Sequence, residues 1–324
     1  MVNKATSASA GFIATAALAG VLGGGCGSSY VAAPPLYANL RVRQAQDHAA
    51  AANGHLMRGE LDEAEEMFSK ALRVFEEYGD DRAAAGVYGG LGILHKTRGD
   101  LDRAEKMHLK ALKMDSRRGD KARIAKHYGN LGVVYQRRGD PKKAEEMYRL
   151  SVSISESQDY DEATASAYGN LGLLYAARGD LHAAEKMYWQ SIAVSEKAGL
   201  DQLTANQYGN LGEVYLWHGN YNRAEEMILK SFAINERLGR RSHLAMNLAG
   251  LGMVRLGRGD VGGAHELLSI SRDTHVSIGQ GKEAEEVQAM IDSIDDLAAD
   301  GPPGGERVGE KSDAQDGAGE SDEW

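Results

Sequence analysis

Between Arg123 and Gln158 the apolar and small residues fall at three- and four-residue steps: Ala125, Tyr128, Leu131, Gly132, Val134 and Tyr135. That spacing gathers them on one side of a helix and predicts an amphipathic α-helix. Gly139 interrupts the pattern, and a glycine just past a helix end takes the left-handed conformation at little cost. Asp140 stands where the next helix needs an N-cap, with Pro141 at the first helical position. A second apolar face follows in Ala144, Met147, Tyr148, Ser151, Val152 and Ile154. The pattern predicts a helix–turn–helix unit.

The unit recurs every 40 residues without insertion or deletion. Gly59, Gly99, Gly139, Gly179, Gly219 and Gly259 mark it, and so do Ala64, Ala104, Ala144, Ala184, Ala224 and Ala264. Tyr-Gly-Asn-Leu-Gly stands at Tyr128–Gly132, Tyr168–Gly172 and Tyr208–Gly212, with Tyr88-Gly89-Gly90-Leu91-Gly92 as a close copy. Gly119, Gly199, Gly239 and Gly279 close second helices, while Asp159 takes that place in one unit. A strict period in this range is the signature of a solenoid, in which each unit buries its apolar face only against its neighbours.

These residues resemble the tetratricopeptide repeat family, whose pattern runs from a large aromatic through Leu-Gly and Tyr to Ala and a further aromatic. Tyr128, Leu131, Gly132, Tyr135, Ala144 and Tyr148 occupy those places, as do Tyr168, Leu171, Gly172, Tyr175, Ala184 and Tyr188. The resemblance covers residues 41–299, read as six repeats plus a capping helix, and implies an all-α, right-handed α-solenoid. The chain departs from the family in its longer period and in lacking the terminal proline, with Glu156, Glu196 and Glu236 near its place. Longer repeats of this kind are similar to those of kinesin light chains and Pins-type spindle adaptors. The ends fit a solenoid. The aromatic column degenerates to His48, Ala51 and His55 in the first unit, and after the sixth unit Asp292 replaces the packing glycine in a capping segment over 282–297.

Charge and composition narrow the partners. The net charge is −10, and the stretch from Asp300 to Trp324 holds eight acids against two bases. An acidic chain is a poor ligand for nucleic acid, which needs a basic face. The tail, rich in glycine and acids, is expected to be disordered. The single cysteine, Cys26, excludes an intrachain disulfide. It follows Lys4, an apolar run from Ala10 to Leu22 and three glycines, the layout of a secretory signal. This N-terminus resembles a bacterial lipoprotein signal, although Gly23 stands where that family prefers a large aliphatic residue. The expected organisation is a signal over 1–25, a flexible tether over 26–40 and the acidic tail over 300–324. The resemblance implies attachment to a membrane of the bacterial cell envelope through a lipid on Cys26. The rival expectation is a soluble cytosolic adaptor.

Catalytic chemistry is not indicated. Arg-Gly-Asp occurs at Arg98–Asp100, Arg138–Asp140, Arg178–Asp180 and Arg258–Asp260, where glycine ends one helix and aspartate caps the next. The histidines lack metal-ligand spacing, no phosphate-binding loop follows a strand, and no nucleophile–base set stands out. The methionine column (Met67, Met107, Met147, Met187, Met227) reads as core filler. The sequence therefore implies neither enzyme, cofactor, metal nor small-molecule substrate.

In the family the first helix of each unit lines a concave groove that holds a protein or peptide partner. The resemblance places Asn130, Asn170 and Asn210 there as amides able to bond a partner backbone. The glycine column (Gly89, Gly129, Gly169, Gly209) is expected to leave the floor open. The early wall offers Lys96, Gln136 and Arg137, and the later wall Leu173, Leu216, Trp217, Met253 and Leu256. An acidic stretch of a partner is expected near Arg137 and an apolar anchor near Trp217, since exposed tryptophans are frequent binding hot spots. The tail ending in Trp324 is a further candidate occupant, its acids meeting Lys96 and Arg137.

Overall fold

The turn chemistry of the sequence is realised almost residue for residue. In the computed structural model, which describes residues 35–300, Gly139 closes a helix at φ 79° and Asp140 Oδ1 accepts from the Lys143 N–H at 3.1 Å. Asp159, which stands where other units have glycine, takes the same left-handed conformation at φ 53°, one that aspartate tolerates better than most residues.

Among the described residues the chain forms thirteen α-helices. They pair as α1 (Pro35–Arg58) with α2 (Leu61–Glu77), α3 (Asp81–Arg98) with α4 (Leu101–Arg118), and α5 (Lys121–Arg137) with α6 (Pro141–Glu156). The series continues as α7 (Asp161–Ala177) with α8 (Leu181–Lys197), α9 (Asp201–Trp217) with α10 (Tyr221–Arg237), and α11 (Arg241–Gly257) with α12 (Val261–Ser277). A lone helix, α13 (Gly281–Asp300), packs on α12 and closes the array. Each helix packs on its sequence neighbours. Successive first helices, α1 through α11, also touch one another, whereas second helices meet mainly the helices on either side of them in sequence. The crowded layer is the inner one, and the stack curves around it as an α-solenoid.

The small residues set the helix spacing within a unit. A Cβ placed on Gly132 would lie 2.4 Å from the Tyr148 ring, and one on Gly172 2.6 Å from the Tyr188 ring. The side chain that fills this gap is thus the aromatic four residues after the conserved alanine. Ala144 and Ala184 are themselves fully buried beside it. Tyr148 and Tyr188 are among the largest side chains wholly removed from water.

The Arg-Gly-Asp segments also bind neighbouring units together. Arg98 reaches back to Glu65 and Asp62, and Arg138 to Glu105 at 2.6 Å and Asp102 at 2.7 Å. Arg178 pairs with Glu145 at 2.7 Å and Arg258 with Glu225 at 2.8 Å. A hydroxyl ladder runs beside it: Tyr135 donates to Glu105, Tyr175 to Glu145 and Tyr215 to Glu185.

At the N-terminal end the helix begins at Pro35, inside the segment expected to be a tether. Proline's fixed φ and missing N–H suit the first helical position, so Pro35 starts the helix rather than prolonging a linker. Cys26, the signal region 1–25 and residues 301–324 lie outside the described residues. At the C-terminal end Ile291 is buried and Asp292 exposed, as a solenoid cap requires. No described helix is long and apolar enough to cross a membrane.

Candidate functional site

The inner surface is built from positions of the first helices that face neither their own partner helix nor the next unit. Asn130 and Asn170, half-buried, line one cavity of ≈ 220 Å³ between α5 and α7. Leu173 and Asn210 line a second, of ≈ 270 Å³, with Glu213 and Asn247. Leu216, Trp217 and Leu256 line a third, of ≈ 640 Å³, formed by α9, α11 and α13. Among the described residues none of the three amides, Asn130, Asn170 or Asn210, hydrogen-bonds to another protein group, so they are not bridges between helices. Trp217 is 62% exposed and stands over the third cavity, with Met246 and Met253 also exposed there.

The early wall differs from expectation. Gln136 is committed to the fold: its amide oxygen accepts from the Tyr148 hydroxyl at 2.8 Å. Arg137 is exposed, but one of its guanidinium N–H groups donates to the Lys96 carbonyl at 3.0 Å. Lys96 is half-buried, and burial, with Arg137 nearby, holds its ammonium below the ordinary lysine range. Lys96 and Arg137 form a cationic shoulder at the start of the groove, outside the three cavities.

The glycine column forms an open floor only in part. Gly129 and Gly209 line the first and second cavities, where a Cβ would meet nothing closer than 3.5 Å, whereas Gly89 and Gly169 are covered. A Cβ on Gly89 would meet the His127 ring at 3.2 Å, and one on Gly169 the Gln207 amide at 2.6 Å. The following unit's first helix covers Gly89 and Gly169, so these two glycines permit helix–helix approach within the stack.

Sequence reasoning overlooked the acidic side of the third cavity. Glu213, Glu283 and Glu286 line it, and α13 adds Val287 and Met290. Extending the asparagine column one unit further would have found Met290, since the series runs Asn130, Asn170, Asn210, Gly250, Met290. Glu213 keeps a water-accessible surface, yet the groove walls displace much of its surrounding solvent and raise its carboxyl above the ordinary glutamate range.

Tetratricopeptide repeat family profiles match residues 44–117, 123–197 and 204–238. The chain is a tetratricopeptide repeat protein. Its fold is shared by the signal transduction ATPase with numerous domains and a tetratricopeptide repeat sensor from Pyrococcus horikoshii, at 16% identity and a TM-score of 0.63. That match covers 81% of this chain and 41% of the other. Aspartyl phosphate phosphatase F from Bacillus subtilis matches at 12% identity and a TM-score of 0.61, over 81% and 72% of the two chains. BtubC (BKLC) from P. vanneervenii matches at 20% identity and a TM-score of 0.55, over 86% and 99%. Among curated proteins no sequence matches the chain. Proteins of this family generally act as non-catalytic scaffolds in protein–protein interaction.

A second concentration of polar groups in this tetratricopeptide repeat protein lies between units, away from the groove. Asp115 of α4 is fully buried, with Oδ2 3.0 Å from His127 Nε2 and 3.2 Å from Arg123 Nε. His108, also fully buried, takes the place that Tyr148 and Tyr188 hold in later units, and neither of its ring nitrogens has a partner. Its ring centroid lies 5.9 Å from that of His127. Burial, aided by the neighbouring His127 and Lys96, pushes His108 down to about 3, and burial also lowers His127 against the pull of Asp115. No cluster of three metal-ligating side chains occurs among the described residues.

Proposed function

We propose that this chain is a scaffold whose concave groove holds an extended or helical segment of a partner protein, and that Cys26 carries a lipid anchoring it in the bacterial cell envelope. The observation that carries the binding reading is Trp217, exposed over a cavity that adjoins the one lined by Asn210. Unpartnered amides offer backbone hydrogen bonds at any partner sequence, and Trp217 offers an anchor where specificity arises. The cationic shoulder of Lys96 and Arg137 faces the partner's acidic stretch. The 40-residue unit, with helices of 16 to 18 residues in the middle of the array, supports a long-helix subtype like that of kinesin light chains.

Affinity capture from the source cells tests the groove. A partner recovered with the wild type is expected to be lost with the triple variant Asn130→Ala, Asn170→Ala, Asn210→Ala, and equal recovery refutes the groove reading. Labelling with a radioactive fatty acid tests the anchor. Label that disappears in Cys26→Ala supports it, and an unlabelled wild type favours a soluble cytosolic adaptor.

A further inference from the structure

The groove changes character along its length in a way that selects its occupant. One inward column runs Lys96, Gln136, Ala176, Leu216, Leu256, and another runs Lys126, Ser166, Asn206, Met246, Glu286. Cations at the start give way to amides in the middle and to apolar residues with carboxylates at the end. The third cavity is lined by Glu213, Glu283 and Glu286 and by no lysine or arginine. Glu286 shares only an exposed contact with Lys282 at 3.6 Å, a pair that contributes little and is readily exchanged. Among the described residues neither Glu213 nor Glu283 has a cationic partner.

We propose that the third cavity takes a cationic amphipathic segment of a partner protein, its large apolar side chains on Trp217, Met253 and Met290 and its lysines or arginines against Glu213, Glu283 and Glu286. This deepens the groove-binding reading and rests on it. Methionines suit such an occupant because their unbranched, polarizable side chains adapt to varied apolar shapes. The Trp217 ring face adds attraction for a cation lying over it. Carboxylates beside an apolar floor reject acidic occupants as well as attracting basic ones, and this repulsion supplies specificity. The chain's own tail over 300–324, with eight acids and two bases, is for that reason a poor occupant of this cavity.

Two synthetic peptides of about 18 residues, or five helical turns, test the inference against the full chain by titration calorimetry. Both place leucine on one helical face, and the other face is lysine in one peptide and glutamate in the other. The Leu/Lys peptide is expected to bind at one site, at least about tenfold tighter than the Leu/Glu peptide, and more weakly as salt rises. Trp217→Ala is expected to weaken it by about tenfold or more. The combined variant Glu213→Gln, Glu283→Gln, Glu286→Gln is expected to remove the preference for lysine and its salt dependence. All four residues are on the groove surface, and unchanged circular dichroism and melting confirm that the variants fold. The inference is overturned if the Leu/Glu peptide binds as tightly. It also fails if both variants bind the Leu/Lys peptide like the wild type, or if deleting residues 301–324 alone abolishes binding. A partner that still depends on Asn130, Asn170 and Asn210 in those cases leaves the groove reading intact, whereas a partner insensitive to every variant removes both.

Discussion

Two joints between repeats occupy equivalent places and are built from opposite chemistry. Where α6 meets α7, Thr164 Oγ1 lies 2.8 Å from Ser155 Oγ, which donates to the Val152 carbonyl at 3.2 Å. The next joint repeats this with Thr204, Ser195 and Ile192 at the same distances. Where α4 meets α5, the serine's place is taken by Asp115, held by His127 and Arg123, while His108 stands nearby with both nitrogens unpartnered. Neutral hydroxyls satisfy one another at small cost. A buried carboxylate is tolerated only while its partners remain. The period preserves the helix geometry in both joints, so the difference lies wholly in how each responds to loss of a partner or to pH.

The largest expected effect comes from removing one member of the charged joint. Asp115→Ala leaves Arg123 and His127 facing an empty site and is expected to cost about 3 kcal/mol. Ser155→Ala at the equivalent place removes one neutral hydrogen bond and is expected to cost about 1 kcal/mol. Denaturant titration compares the totals, and hydrogen exchange locates them: Asp115→Ala should accelerate exchange in α3 to α5 before the later units. Equal losses in the two variants would erase the distinction between the joints.

Acid probes the same contrast without mutation. His108 titrates near 3 in the folded chain against an ordinary value of 6.5, and His127 is lowered as well. Below about pH 6.5 the unfolded chain therefore binds protons that the folded chain refuses, and stability falls as pH falls toward 3. His108 costs up to about 1.4 kcal/mol per pH unit within that window, and His127 adds to the loss in the same direction. The groups facing this pair are Asp115, Arg123, Lys96 and Asp120. The neutral joints of Ser155 and Ser195 contribute no such slope. His108→Tyr, which restores the side chain of the later units, is expected to reduce the loss between pH 7 and pH 4 in thermal melts. An unchanged pH profile in that variant would place the sensitivity elsewhere.

What the sequence made legible follows from which columns are constant. Gly132, Ala144 and Tyr148 recur in register because helix crossing demands one shape, and a period exposes such a demand directly. The caps at Gly139 and Asp140 were legible for the same reason. Gln136 was not, because its bond to Tyr148 joins helices whose contact depends on their crossing angle. The glycine column misled at Gly89 and Gly169, because the covering residues, His127 and Gln207, belong to the next unit. The Asp115–His127 pair was hidden by its variability: its column reads Phe75, Asp115, Ser155, Ser195, Asn235, His275. Such a position betrays its role only when its partner, twelve residues on, is seen beside it. The acidic wall was missed because α13 was read only as a cap, while it supplies two of the wall's three carboxylates, Glu283 and Glu286.

The smallest expected effect extends the comparison to the outer ladder, where His218 stands in the place of Arg98, Arg138, Arg178 and Arg258. Glu185 consequently lacks the bridge its counterparts have; its nearest cation is Arg223 at 3.7 Å, and it accepts from Tyr215. The gap lies beside Trp217, so the ladder is broken at the unit where the groove turns apolar. His218→Arg supplies a guanidinium at the spacing that joins Arg178 to Glu145. Because such pairs are partly exposed, the gain is expected to be only about 0.5 kcal/mol, shrinking as salt rises. A chemical-denaturation midpoint measured at low and high salt reads both quantities. A salt-independent gain would trace to the side chain's packing instead of its charge. No gain at either salt would mean that the α8–α9 spacing has already departed from that of the earlier units.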